Sequence, residues 1–393
     1  MDKIKILTFS TLYPNKIRTR HGIFVETRLR YLINNNLVES RVVSPVPWFP
    51  FKWSFFGEYA KNSHIPRKDI QHNIQIDYPR FLLLPKIGMT LAPLFMALFS
   101  YRKIKAIQQE YDFQIIDAHY FYPDGVAAII LGKWLKKPVT ITARGTDLNL
   151  IPQYYLPRKM IQWAAKQANG MITVCQALKD VLVELGVPEE KVKALRNGVN
   201  LELFTPPQDI ALLRKKLSLN GKCILSVGHL IERKGHHLII EALQSCPEVK
   251  LYIAGDGEMQ EKLETQVTQL QLQNRVVFLG ALSQQELRNY YAGVDMLVLA
   301  SSREGWANVL LESMACGTPV VATDVWGTPE VVAAPEAGVL VDRSAEGISR
   351  GIKKLYSNYP DRKQTRLYAE KFSWDATTKG QEDLFKNILD RQS

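Results

Sequence analysis

The sequence predicts an α/β protein of two domains, each a doubly wound parallel sheet with helices on both faces. Three observations carry this expectation. At 393 residues the chain exceeds what one ordinary core accommodates. Short β-branched runs alternate with helical periodicity along its length, the pattern of parallel α/β sheets. The alternation breaks once, from Arg196 to Pro207, where Asn-Gly and Pro-Pro mark a linker, and then restarts.

In the first half, strands are expected at Ile4–Phe9, Val38–Ser44, Phe113–Asp117, Val139–Thr142, Met171–Val174 and Val192–Leu195. In the second they are expected at Cys223–Val227, Lys250–Ala254, Val276–Leu279, Met296–Leu299, Pro319–Ala322 and Val339–Val341. Helices fill the gaps. A last helical stretch, Trp374–Leu389, has no strand after it and is expected to cross back to the first domain. The boundaries read as 1–196, 197–372 and a C-terminal helix over 373–393. Open α/β sheets bind ligands at the carboxyl ends of their strands, so chemistry is expected in a cleft that the two sheets face.

Two other segments stand out. Phe81–Ser100 has the length of a membrane span, but Pro85, Lys86 and Pro93 interrupt it. Ile87–Ile107 reads instead as an amphipathic helix with a basic end, Arg102-Lys103-Ile104-Lys105. Pro45–Tyr59 combines three prolines with Trp48, Phe49, Phe51, Trp53, Phe55 and Phe56. It fits either a loop folded onto its own core or a membrane-edge contact.

Composition excludes several classes. Hydrophobic residues at 46% and charged residues at 23% are ordinary for a folded domain. No charged start leads into an apolar run, so no secretory leader is read. Cys175, Cys223, Cys246 and Cys316 lie far apart without metal-ligand spacing, which suits reduced thiols in a cytoplasmic protein. The net charge of +11 favours anionic partners: phosphorylated substrates or lipid headgroups. No helix-turn-helix, zinc-finger or RNA-binding signature accompanies it, so nucleic acid is not expected. Peripheral contact with the inner face of an anionic membrane is.

The most specific segment is Leu297–Val332, "LVLASSREGWANVLLESMACGTPVVATDVWGTPEVV". A strand ends at Ala300, a polar turn follows, and a helix is expected to begin near Trp306. Glu304 then lies just before the helix and Glu312 two turns inside it, so one carboxylate can meet each end of an extended ligand. The amides of Trp306, Ala307, Asn308 and Val309 fall in the first turn, where unpaired N–H groups and the macrodipole suit a diphosphate.

This segment resembles the E-x7-E region of the retaining glycosyltransferases of family 4, which have the two-Rossmann-domain GT-B fold. "TFSTLYPNKIRTRHGIFVE", "DAHYFYPDG", "TARGTDLN", "RNGVN", "VGHLIERKGHHLII", "AGDGEM" and "FSWDATT" follow in the family's order. The N-terminal half is similar to members acting in cell-wall and exopolysaccharide synthesis, the teichuronic acid type among them. The resemblance implies a nucleotide-diphosphate-sugar donor, a lipid-linked or glycan acceptor, retention of configuration, and neither cofactor nor divalent metal.

It also implies roles for residues. Lys234 matches the lysine that clamps the donor diphosphate; the second cation is either Arg233 or a charged His229, which stands where the family commonly has Arg. Gly22 is assigned to the donor side. His119, after Asp117 in place of the family's first His, is implied to contact the reacting sugar or acceptor. Arg144 stands where His is frequent, and with Asp147 is implied in acceptor or phosphate contacts, although Asp147 also suits a turn cap. Glu304 is implied to orient donor hydroxyls, with a double-displacement role left open. A non-hydrolysing nucleotide-sugar epimerase, a phosphorylase, a non-catalytic nucleotide-sugar binder and a dehydrogenase are the rivals. The ordered motif set favours transfer.

Overall fold

The computed structural model describes residues 3–48, 58–83 and 88–391. The chain divides into two compact units: unit 1 is Met1–Arg196 with Asp375–Ser393, and unit 2 is Asn197–Trp374.

Unit 2 holds six parallel strands. In spatial order they are Val276–Gly280, Val249–Ala254, Lys222–Val227, Met296–Leu299, Val320–Thr323 and Gly338–Val341. This is the 3-2-1-4-5-6 order of a dinucleotide-binding fold, and the direction of winding reverses between Lys222–Val227 and Met296–Leu299. Those two strands pair directly, Ile224 with Met296 and Leu225 with Leu297. Their side chains are buried on both faces (Ile224, Leu225, Met296, Leu297 and Val298 are inaccessible), as the near-continuous apolar runs require.

Unit 1 carries an eight-stranded sheet. Its order is Val192–Ala194, Gly170–Thr173, Val139–Ala143, Ile115–His119, Ile4–Phe9, Val38–Val43, Ile74–Asp77 and Lys68–Gln71. Only the last pair is antiparallel. Winding reverses between Ile4–Phe9 and Ile115–His119, which pair from Ile6–Ile115 to Phe9–Ala118. The helix Asp375–Asp390 packs on this unit: Leu384, Phe385 and Ile388 join its core, and Leu384 and Ile388 lie against Gly170, where a Cβ would meet Leu384 Cδ1 at 2.9 Å.

Every expected strand is present within two residues at either end. Two pairings were not anticipated. "KDIQHNIQID" forms the edge hairpin Lys68–Gln71/Ile74–Asp77, turning through His72 and Asn73, both with positive φ (49° and 63°). That is the geometry a two-residue hairpin needs, and Asn is among the residues that accept it. Val46–Pro47 also pairs with Arg80–Phe81 as a separate two-stranded ribbon. The amphipathic helix runs Gly88–Tyr111, one turn longer than expected, with Pro93 inside its first two turns. Of the aromatic segment 45–59, only its two ends are described; Phe49, Phe51, Trp53, Phe55 and Phe56 lie outside the described residues. All four cysteines are free and buried. Among the described residues no helix is long and apolar enough to cross a membrane.

Candidate active site

Two groups of polar residues gather at the two switch points, one in each unit.

In unit 2, the strand Lys222–Val227 leads to Gly228, then through a tight turn to Glu232–Lys234 and Gly235. Gly228 (φ 152°) lets the Lys234 side chain lie over it: a Cβ there would touch Lys234 Cδ and Cε at 3.4 Å. Gly235 (φ 73°) caps the helix His236–Ala242, and its Cβ would fall 2.2 Å from the Ala300 carbonyl oxygen. The two loops at the switch point are thus pressed together with no room for a side chain. Ser302 N donates to the Arg233 carbonyl at 2.9 Å, tying one loop to the other.

The packing brings Lys234, Arg233 and Glu304 together. Lys234 Nζ lies 2.6 Å from Glu304 Oε1, and Arg233 Nη1 3.6 Å from the same oxygen. Ser301 Oγ donates to it at 2.6 Å, and Arg233 Nη1 also donates to the Arg303 carbonyl at 2.8 Å. Burial would raise the Glu304 carboxyl, but Lys234 and Arg233 outweigh it and hold the group below its ordinary value. Glu304 is therefore an anion fixed among cations. His229 stands apart, its side chain 73% exposed and 3.6 Å from Asp256.

The helix after the turn is Asn308–Ala315, beginning two residues later than expected. Trp306 and Ala307 precede it, Asn308 is its first residue, and Glu312 is the fifth, little more than one turn inside. The delay has a local cause: the Asn308 amide donates back to the Trp306 carbonyl at 3.1 Å, closing a tight turn in which Ala307 (φ −85°, ψ 80°) is not helical. The Asn308 amide is thereby engaged, while Val309 remains in the first helical turn, where a helix cannot satisfy its own donors. Burial pushes the Glu312 carboxyl up to about 7, although it accepts from the Tyr291 hydroxyl at 3.0 Å.

In unit 1, Gly22 adopts φ 73° and sits against the Leu12 carbonyl, where a Cβ would come within 2.3 Å. The loop between Phe9 and Gly22 is bonded to the turn after Ile115–His119: the Thr11 amide and hydroxyl both donate to Asp124. Burial pushes Asp124 up to about 7. Sequence reasoning missed this carboxylate because "YPDG" reads as an ordinary turn.

His119 ends a strand that was expected to stop at Asp117, and its ring is enclosed rather than presented, with 1% exposure. Nδ1 faces Arg144 Nη2 at 2.5 Å, and Nε2 faces Asp117 Oδ2 at 3.1 Å. Arg can only donate, so Nδ1 accepts and the ring proton resides on Nε2, directed at Asp117. Burial drives the imidazole down to about 4, so it is neutral. Asp117 is fixed in turn by Thr140 Oγ1 (2.7 Å) and by Gln381 Nε2 (2.9 Å) from the C-terminal helix, and Gln381 Oε1 accepts from Arg28 Nε at 2.9 Å. Asp147 is a turn cap: its carboxylate accepts from the amides of Phe121 (2.7 Å), Arg144 (3.0 Å) and Gly145 (2.7 Å). Ser301, Gln381 and Arg28 were also unforeseen. Only Ser301 left a signal, as a small hydroxyl residue three places before Glu304.

Two Rossmann-like units, each with its loops gathered at a switch point, make up the GT-B fold. Residues 64–203 match the model "Glycosyltransferase Family 4" and residues 209–372 match "Glycosyl transferases group 1". The chain belongs to this glycosyltransferase family. It is 24% identical over 360 residues to the putative teichuronic acid biosynthesis glycosyltransferase TuaC of Bacillus subtilis, covering 89% of each chain. It is 32% identical over 235 residues to an uncharacterized glycosyltransferase of Methanocaldococcus jannaschii, over 56% of this chain and 60% of that one. Among solved structures, Anabaena HepE in complex with UDP superimposes with a TM-score of 0.73 at 22% identity, over 98% of this chain and 100% of HepE.

Proposed function

We propose that the protein transfers a sugar, with retention of configuration, from a nucleoside-diphosphate sugar to a lipid-linked or polysaccharide acceptor in bacterial surface glycan synthesis, at the cytoplasmic face of the membrane. The observation that carries this reading is the Lys234–Glu304 pair at the switch point of unit 2, beside the start of the helix Asn308–Ala315. The UDP held by the HepE structure and the teichuronic acid biosynthesis for which TuaC is named support the donor and the pathway class.

Unit 2 binds the donor. Lys234, Arg233 and the amides of Trp306, Ala307 and Val309 receive the diphosphate, Glu304 accepts from sugar hydroxyls, and Glu312 accepts from the ribose hydroxyls. In the reaction an acceptor oxygen bonds to the anomeric carbon as the bond to the β-phosphate oxygen breaks, and the acceptor proton passes to that departing oxygen. The cations lower the barrier because negative charge grows on the diphosphate at that moment, so no divalent metal is required. Unit 1 binds the acceptor. There Arg144 meets the ligand, and His119, with both ring nitrogens engaged, is a positioning residue that fixes the guanidinium.

Two expected results arise here. Arg144→Lys keeps the charge but loses the planar fork that His119 orients, and should raise KM for acceptor about tenfold or more, leaving donor affinity unchanged in calorimetry. Glu312, free near pH 7 as a partly protonated acid, becomes ionised when ribose hydroxyls donate to it. Nucleoside-diphosphate binding should therefore release a proton below about pH 7 and tighten as pH rises through that value. Titrations in buffers of different ionisation enthalpy measure the release, and Glu312→Gln should abolish it.

The reading as a whole is tested by screening nucleotide sugars for thermal stabilisation, then determining product anomeric configuration by NMR with and without acceptor. An inverted product, or epimerised donor without acceptor, contradicts it.

A further inference from the structure

We propose that unit 1 carries a phosphate-binding pocket, separate from the Arg144 site, that seats the headgroup of an anionic bilayer lipid. The pocket, a cavity of about 410 Å³, is lined by Arg67, Lys68, Arg80, Arg102 and Lys103 against a single carboxylate, Asp77. Asp77 is already committed, with Lys103 Nζ at 2.7 Å and Arg41 Nη2 at 3.7 Å. Among the described residues no carboxylate pairs with Arg67, Lys68, Arg80 or Arg102.

Arg80 shows the deficit most clearly. One terminal nitrogen donates to the Ile65 carbonyl, while Nη1 is buried without a hydrogen-bond partner among the described residues. Burial first, and then the neighbouring Arg67 charge, pull its guanidinium below the ordinary value. A cluster of like charges around one carboxylate that is already paired is completed by an anion with several acceptor oxygens, and a phosphate supplies them.

The surroundings select a bilayer over a free phosphate. Phe99 lines the pocket and is about half exposed. Leu94 and Leu98, equally exposed, precede Arg102 at four-residue steps on the same helix, so an apolar stripe runs into the basic pocket along one face. On the other side Val46 pairs with Arg80, and the Trp48 amide donates to the Phe81 carbonyl at 2.6 Å, placing half-exposed Trp48 beside the same site. Exposed Trp, Phe and Leu around Arg and Lys are the composition of a surface that lies in a headgroup layer. Asp77 and His119 both end sheet strands at the carboxyl edge, with two strands between them, roughly 14 Å apart by strand spacing. A bilayer docked at the pocket therefore lies beside the edge that carries Arg144.

This deepens the reading of the acceptor as lipid-linked and rests on it, but its test is independent of transfer. The full chain is sedimented with phosphatidylcholine vesicles and with vesicles that also contain phosphatidylglycerol, in the absence and presence of inorganic pyrophosphate. Binding is expected only to the anionic vesicles, and excess pyrophosphate should compete. Arg67→Glu with Arg102→Glu, both at exposed positions, should weaken vesicle binding by at least about twenty-five-fold, since each basic side chain near an anionic surface contributes roughly fivefold. Leu98→Ser should weaken vesicle binding while leaving pyrophosphate affinity intact; it serves also if the double variant fails to fold. Wild-type protein that ignores anionic vesicles, or variants that bind them equally well, overturns the proposal. Pyrophosphate binding that the Arg67→Glu, Arg102→Glu double variant abolishes, without any vesicle binding, overturns the lipid assignment and gives the pocket to a soluble phosphorylated ligand. Nucleotide-sugar affinity, followed in parallel, should be unchanged in all variants; its absence in the wild type would count against the donor reading and not against this one.

Discussion

Glu304→Gln should lower the transfer rate at least about a hundredfold while the fold persists. The amide keeps the length and one acceptor oxygen of the carboxylate, so Ser301 and Lys234 retain a partner at the 2.6 Å positions they now occupy. What is lost is the negative charge that holds the Lys234 ammonium and the Arg233 guanidinium in place, and with it the alignment of the donor sugar. Loss of stability should stay near that of a weakened hydrogen bond, about 1–2 kcal/mol. Steady-state kinetics with saturating donor and a thermal melt check both halves. Wild-type turnover would remove Glu304 from the active site.

Lys234→Ala should cost about 3–4 kcal/mol of transition-state stabilisation, because the group facing the departing diphosphate disappears. Nucleoside-diphosphate affinity, measured by calorimetry, should fall with it. The substitution also leaves Glu304 enclosed with the Ser301 hydroxyl at 2.6 Å and, for a cation, Arg233 at 3.6 Å. In the wild-type protein the Glu304 carboxyl is depressed, so it adds stability above its unfolded value and loses that contribution as pH falls through the folded one. Without Lys234, burial prevails and the carboxyl rises. Its contribution then changes sign, and the variant should lose melting temperature relative to wild type as pH rises above the ordinary carboxylate range. Adding Glu304→Gln should restore the stability and leave activity lost. That pattern separates an electrostatic role from a merely structural one, since two residues in contact are not expected to act additively.

Much of this architecture was legible because parallel α/β strands are short, apolar and regularly spaced. Ile4–Phe9 and Met296–Leu299 were placed to the residue, and the C-terminal helix was assigned to unit 1 from the absence of a strand after it. The hairpin Lys68–Gln71/Ile74–Asp77 was overlooked although buried Ile74 and Ile76 alternate with exposed Gln75; its His-Asn turn lacks the glycine that usually announces such a loop. In unit 2 the residues that meet, Arg233, Lys234 and Glu304, were all chosen from motifs, because each lies within a few residues of a strand's end. In unit 1 the same reasoning found His119 and Arg144 but not their arrangement. The Asp117–His119–Arg144 chain, closed by Gln381 from more than 230 positions away, depends on tertiary packing that no local pattern encodes. The start of the helix at Asn308 rather than Trp306 has a comparable origin, a backbone turn that competes with the first helical hydrogen bond.

The most direct measurement is a crystal structure of the protein with a nucleoside diphosphate bound. The phosphates should rest on the amides of Trp306, Ala307 and Val309, within hydrogen-bond distance of Lys234 Nζ, with the ribose hydroxyls on Glu312. A diphosphate bound elsewhere, or a Lys234–Glu304 pair left untouched and remote from it, would contradict the account.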